Sequence, residues 1–266
     1  MFTIDHLVQP QTIEEAYQIL NEHTSNTILG GCAYLRLGSK KIRTAIDLAN
    51  LHLDYIQEHP ATIEIGAMAT FRDLETHPAL KNHFNGIIPH SVSSIIGVQF
   101  RNIVTVGATV YSKYGFSDLL TALLALDTEV KLHQGGSMTL ADFLKKPYPK
   151  DILTAISIQK NNCKAIYQDL RNSKSDFPIL NTAVSCLDNQ WRIVVGARPL
   201  KAEIASKASR ELSDKAVIRA EDVKNAARGA AEELSFGTNL RGTAAYRRAM
   251  CSILVSRAIT EVLACR

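Results

Sequence analysis

An α+β fold is predicted for this chain from three features of its 266 residues. Helical and strand periodicities alternate through the first half, a run of strands follows residue 150, and two long helical segments close the sequence. A hydrophobic content of 46% supplies enough apolar surface for one large domain or two modest ones. Pro147 and Pro149 place the boundary between Lys145 and Asp151, which separates a first part, 1–150, from a second, 151–266.

The elements follow in order. Thr12 with Glu15 three residues on is a capping box, and Ala16, Tyr17, Ile19 and Leu20 give one apolar helical face, so a first helix runs to about His23. Residues 27–29 form a short apolar strand ending on Gly30 and Gly31, and 45–48 form a second, which makes the opening a small α/β unit. Residues 62–67 alternate as a strand does, and Thr70 and Asp73 then cap a helix that stops before Pro78. A helix is expected over 89–96 with Gly97 as its stop. Residues 103–110 are β-branched and read as a strand interrupted by Gly107, a place where another backbone or a ligand comes close. Ser117 starts a buried helix that reaches Leu126, and 129–133 is a strand.

In the second part, 152–158, 165–170, 179–187 and 191–196 alternate apolar with polar residues, and Asp188-Asn189 is a hairpin turn signal. Residues 220–234 and 243–264 are helical by periodicity, the second with Met250, Ile253, Leu254, Ala258, Ile259 and Val262 along one face. This part is therefore an antiparallel sheet covered by helices.

Composition excludes several function classes. Lys and Arg number 30 against 26 Asp and Glu, and they are scattered, so no nucleic-acid stripe is expected. The apolar runs at 119–126 and 252–255 are too short or too broken for a membrane span. Residues 1–10 have neither a basic start nor an apolar signal core, and a cytoplasmic location is the default. The five cysteines make no C-x-x-C pair and the eight histidines are dispersed, so no metal or iron–sulfur site is expected on this chain.

Two glycine-bearing turns, about seventy-five residues apart, carry the chemistry: Leu29-Gly30-Gly31-Cys32-Ala33 and Thr105-Val106-Gly107-Ala108-Thr109. Glycine removes the Cβ and permits positive φ, so successive backbone N–H groups can converge on phosphate oxygens. Two such loops facing each other could hold a pyrophosphate, although either one alone is equally an ordinary turn. Neither the G-x-G-x-x-G fingerprint nor a P-loop is present.

The order of motifs resembles the FAD-binding medium subunit of molybdenum hydroxylases of the xanthine dehydrogenase and carbon monoxide dehydrogenase type, over nearly the whole chain. Leu29-Gly30-Gly31-Cys32-Ala33-Tyr34 followed by Ile46-Asp47-Leu48 is similar to the family's Ala-Gly-Gly-Thr-Asp-Leu and Ile-Asp-Leu. Ile65-Gly66-Ala67 with Thr70 matches Ile-Gly-Ala-x-x-Thr. The most specific stretch runs from Gly97 through Gln99, Arg101 and Asn102 to Gly107, like the family's Gln-Ile-Arg-Asn-x-x-Thr-Ile-Gly-Gly-Asn. Ser117-Asp118, Asp176-Phe177-Pro178 and the segment from Arg241 to Arg248 complete it.

The resemblance implies a two-part FAD-binding domain of the vanillyl-alcohol oxidase (PCMH) type, 1–58 and 59–150, with an α+β domain over 151–266. It implies non-covalent FAD, with Leu29, Gly30, Gly31, Cys32, Ala33 and Tyr34 on a first pyrophosphate loop and Thr105, Val106, Gly107, Ala108 and Thr109 on a second. Asp118 would meet the ribose or adenosine, and Ile95 and Leu153 would pack near the isoalloxazine. A first-turn helix acid is the alternative for Asp118. The implied partners are a large subunit with the molybdenum cofactor and a small one with [2Fe-2S] clusters, and NAD is an expected acceptor. No catalytic acid, base or nucleophile is assigned. Three positions depart from the pattern: Cys32 stands for threonine, Ala33 for an acid and Ala108 for glycine. They leave two alternatives open, a flavin-free structural or assembly subunit and a free-standing FAD oxidoreductase.

Overall fold

Capping and periodicity set most elements of the structure, a computed structural model that describes residues 1–145, 147 and 149–265. The predicted boundary thus includes Lys146 and Tyr148, which lie outside the described residues. In chain order the first half contains β1 (Thr3–Val8), α1 (Ile13–Glu22), β2 (Thr27–Leu29), β3 (Lys41–Asp47), β4 (Ile56–Glu58), β5 (Thr62–Gly66), α2 (Phe71–Thr76), α3 (Pro78–Asn82), α4 (Ile87–Ser93), α5 (Val98–Arg101), α6 (Val106–Ser112) and α7 (Asp118–Leu124). It continues through β6 (Thr128–Leu132), β7 (Gly136–Thr139), α8 (Leu140–Lys145), β8 (Leu153–Gln159), β9 (Lys164–Leu170), β10 (Leu180–Leu187), β11 (Gln190–Gly196), β12 (Glu203–Ile204), α9 (Ser206–Ser213), α10 (Ala220–Glu233) and α11 (Ala244–Ala264). These elements form two compact units. The first draws its described residues from Met1–Leu74, Gly97–Ser112 and Thr128–Ile158, and the second from Glu75–Ile96, Lys113–Asp127 and Gln159–Arg266.

In the first unit, Thr12 Oγ1 accepts from Glu15 N at 3.2 Å, and the Glu15 carboxylate accepts from Gln11 N at 2.8 Å, which starts α1 as the sequence predicts. Its buried Ala16 and Leu20 pack on Ile46, Leu48 and Ile152. Beneath α1, β1 and β2 both run parallel to β3. Parallel strands that follow one another in the chain need a crossover connection, and α1 provides it between β1 and β2, which lie on either side of β3. A second sheet has the order β4-β5-β8-β6-β7, so residues 152–158, expected among the strands of the C-terminal sheet, form β8 here and pair with β6.

The expected strand over 103–110 is a correction. Only Thr105 makes a bridge, to Thr70, and α6 starts at the next residue. β-Branched residues favour strands, but two contacts override that preference. Phe71 N donates to Val104 O and Val106 N to Ala69 O, which pins the segment at its start. Thr105 Oγ1 then accepts from Ala108 N at 3.4 Å, as a helix cap does. Gly97, expected to end a helix at 96, has φ 67° and instead opens α5, four residues beyond the end of α4 at Ser93.

The second unit centres on the antiparallel sheet β12-β11-β10-β9. Asp188 and Asn189 take φ 47° and 63°, the left-handed pair that a two-residue type I′ hairpin requires. Side chains alternate between its faces. Leu180, Val184, Trp191, Ile193 and Val195 join the core made with α9, α10 and α11. From the other face, Asn181 and Thr121 are joined at 2.9 Å, Ser185 donates to Ala125 O, and Arg192 donates to Leu126 O, so α7 and its C-terminal turn cover that side. Helices α4 and α7, from the first half of the sequence, thus pack with strands from the second.

Candidate functional site

The two glycine segments meet inside the first unit. A Cβ on Gly30 would lie 2.4 Å from Ala108 Cβ and 2.8 Å from Thr105 Oγ1, and one on Gly31 would lie 1.2 Å from the Ile103 carbonyl oxygen. No side chain fits at those distances, so glycine is what lets the segment after β2 lie on the start of α6. Gly107 likewise sits against Ala67.

The amides of the two segments differ in how they are used. Gly107 N donates to Ala67 O at 2.7 Å, Thr109 N donates to Thr105 O at 3.2 Å, and Val106 N is already committed to Ala69 O. Among the described residues, by contrast, the backbone N–H groups of Gly31, Cys32 and Ala33 have no acceptor. Cys32 takes a left-handed φ of 58°, a turn of the kind that groups successive amides toward an anion. Its thiol donates back to Gly30 O at 3.0 Å, and burial raises its pKa. Tyr34 leads into a short turn at Leu35–Leu37. Ala108, the position where the resemblance has glycine, lies in α6 without positive φ, so its Cβ causes no backbone strain there.

Beside this junction is a cavity of about 330 Å³, within the size range of small-molecule sites, lined wholly by first-unit residues. Of the residues expected from sequence, Leu29, Gly30, Thr105, Gly107, Ala108 and Leu153 line it. Leu20, Ile28, Leu48, Met68 and Ile152 supply apolar surface. Sequence reasoning missed polar members that include Asn26, Lys40, Tyr111, Lys150 and Asp151, which share no motif; the only signal was the position of Asn26 just before a strand and of Lys150 and Asp151 at the end of a Pro-rich stretch. Lys150 Nζ donates to the carbonyls of Leu20, His23 and Thr24 at 2.8, 2.9 and 3.2 Å and so caps the C-terminus of α1. Lys40 Nζ donates to Thr27 Oγ1 at 2.8 Å. Burial, and then the charge of Lys40, lower the pKa of Lys150.

Ile95 and Asp118 belong to the second unit. Ile95 is half-buried just beyond α4. Asp118 is the buried first residue of α7, which Ser117 caps through Leu120 N at 3.2 Å. Its Oδ1 accepts from Arg171 Nη2 at 2.7 Å, from Asn181 Nδ2 at 3.2 Å and from the Tyr167 hydroxyl. Burial pushes the Asp118 pKa up, opposed by Arg171 and these hydrogen bonds. The carboxylate in turn holds the Arg171 guanidinium more firmly protonated, against the effect of burial.

Comparison with known proteins bears on the family and the fold. Residues 2–159 match the FAD binding domain in molybdopterin dehydrogenase, and 165–262 match the CO dehydrogenase flavoprotein C-terminal domain. An Escherichia coli K12 protein, "Uncharacterized protein YgfM", is 26% identical over 265 residues, 95% of this chain and 94% of its own. The nicotinate dehydrogenase FAD-subunit of Eubacterium barkeri is 30% identical over 144 residues, 50% of this chain and 48% of its own. The fold matches that of a chain of the reconstituted CO dehydrogenase from Oligotropha carboxidovorans with a TM-score of 0.89, at 21% identity and over 98% of each chain.

Proposed function

Because the chain belongs to the family of FAD-binding domains in molybdopterin dehydrogenases, we propose that it is the electron-transferring medium subunit of a xanthine dehydrogenase-like molybdenum hydroxylase. In this reading 1–150, with the start of β8, carries FAD, and the rest of 151–266 is the C-terminal domain. Electrons reach the flavin from [2Fe-2S] clusters of a small partner subunit and leave to NAD or another acceptor, while substrate oxidation takes place at a molybdenum cofactor on a large one, in the cytoplasm.

The single observation that carries the reading is the junction of Gly30 and Gly31 with residues 103–108, with amides that have no acceptor among the described residues on one side and a largely apolar cavity on the other. That junction fits a dinucleotide. The N–H groups of Gly31, Cys32 and Ala33 would face the diphosphate, and Lys40 and Lys150 outnumber Asp151 in the cavity lining, which leaves it net positive. Apolar side chains such as Leu29, Met68 and Leu153 keep water out. Bound FAD supplies the redox step itself, and the protein contributes positioning and electrostatics. Val106, Gly107 and Thr109 then serve as packing that holds the junction rather than as amide donors, and Thr105 and Ala108 as cavity wall. Asp118 has a structural role here, and the cavity needs nothing from Ile95.

The purified chain is expected to be yellow. Stripped of flavin, it should rebind FAD, and at a hundredfold excess over Kd it should gain about 2.7 kcal/mol of stability. The measurement is a thermal melt with and without FAD, with visible absorbance read on the same sample. A colourless chain whose melting is unmoved by FAD would leave only a flavin-free structural subunit. Turnover of an organic substrate by the isolated chain would favour a free-standing oxidoreductase instead.

A further inference from the structure

Asn26 immediately precedes β2, and only 2% of it is exposed. Its backbone N–H donates to His23 O at 3.1 Å, and its Nδ2 donates to Ile19 O at 2.6 Å. The second bond fixes the direction of the carboxamide, because turning it over would set two oxygens against each other. Oδ1 is left buried with no hydrogen-bond partner. Buried acceptors in folded proteins are nearly always paired, so this one calls for a donor. Asn26 lines the cavity together with Leu20, Ile28, Leu48, Met68 and Ile152, which have no polar side-chain atom to offer, and with Thr24, Thr27, Lys40, Tyr111 and Ser112, none of which bonds its Oδ1. Lys150 is no candidate donor, since three carbonyls already take its three protons.

Resting on the FAD reading, we propose that Asn26 selects the base of the dinucleotide: its Oδ1 accepts a hydrogen bond from the exocyclic amine of a 6-aminopurine seated in the apolar cavity. A 6-oxopurine of the same size presents an oxygen at that position, and two acceptors then face each other. A site that hydrogen-bonds one functional group rejects the analogue lacking it far better than an apolar slot discriminates by size.

The test compares FAD with its hypoxanthine counterpart, identical except for the 6-substituent, in binding to the flavin-stripped chain by fluorescence quenching and calorimetry. The unmodified chain is expected to bind FAD roughly tenfold or more tightly, the scale of one unmade buried hydrogen bond. Asn26→Ala should weaken FAD binding and bring the two affinities within about threefold of each other. Equal affinities in the unmodified chain overturn the proposal and leave the FAD reading intact, and this arm needs no variant to fold. A folded Asn26→Ala that keeps the full preference also overturns it. If neither dinucleotide binds, the FAD reading fails, and the selection falls with it.

Discussion

Gly31→Ala is expected to cost about 3 kcal/mol or more of stability and to weaken FAD binding at least tenfold. The added methyl would sit 1.2 Å from the Ile103 carbonyl oxygen and 2.2 Å from its carbon. Its obstacle is backbone, not the movable end of a side chain. Accommodation therefore means parting the segment after β2 from the segment before α6, the two strips whose contact creates the cavity edge and aims the free amides. Gly229→Ala is the internal control. Gly229 lies within α10, and a Cβ there meets nothing closer than 3.6 Å. Alanine at a helical position that accepts it stabilises by roughly 0.5–1 kcal/mol, so the two substitutions should shift the denaturation midpoint in opposite directions. Urea titrations of both variants decide the matter. A Gly31→Ala midpoint equal to that of the unmodified chain, with FAD affinity retained, would show that the two segments are not packed as described.

Arg171→Leu is expected to cost about 3–5 kcal/mol, because it leaves the Asp118 carboxylate buried beside a leucine. Both side chains of this pair are 6% exposed, and they meet at 2.7 Å. The arginine also donates to Asp169 through Nε at 3.0 Å and to the Asp176 carbonyl at 2.5 Å, so the loss reaches three partners. Adding Asp118→Asn should recover part of the stability, since the charge is gone while an oxygen for Tyr167 remains. The sign of the pH effect follows from burial. A carboxyl whose pKa is raised on folding favours the folded state most below its unfolded pKa, and that contribution disappears as pH rises through the folded pKa. Burial already raises the Asp118 pKa in the intact network. Without the guanidinium the rise grows, so the penalty of Arg171→Leu should shrink in mild acid, as pH falls toward the usual carboxylate range. A cost under about 1 kcal/mol, or one that deepens on acidification, would contradict the network as drawn.

What could be read from the sequence alone was whatever is settled by neighbours in the chain. Thr12 with Glu15, Ser117 before α7 and Asp188-Asn189 at the hairpin are all local hydrogen-bonding or φ preferences, and each acts in the structure as read. Of the strands read after residue 150, β9, β10 and β11 were legible because their alternation meets two different helical layers, whereas β8, expected beside them, pairs with β6 in the first unit's sheet. Residues 103–110 were misread because their helix is imposed by the carbonyls of Ala67 and Ala69, which no local pattern announces. Strand β1 was missed because its residues are almost all exposed and show no apolar alternation. At the candidate site, the glycines could be found, since a missing side chain is visible in a sequence. Lys150 could not, because what makes it part of the cavity is three carbonyls more than 120 residues earlier in the chain.

The sandwiching of the β9–β12 sheet by α7 on one face has a bearing on synthesis. A ribosome delivers α4 and α7 well before any strand of that sheet, whose strands are complete only at Ile204. Until then the leucines of α7, all buried in the finished protein, have no sheet to lie on. Nascent chains in this interval expose adhesive apolar surface for many seconds at ordinary elongation rates. Overproduction in cells short of chaperones should accordingly fail by aggregation of incomplete chains rather than by unfolding of finished ones.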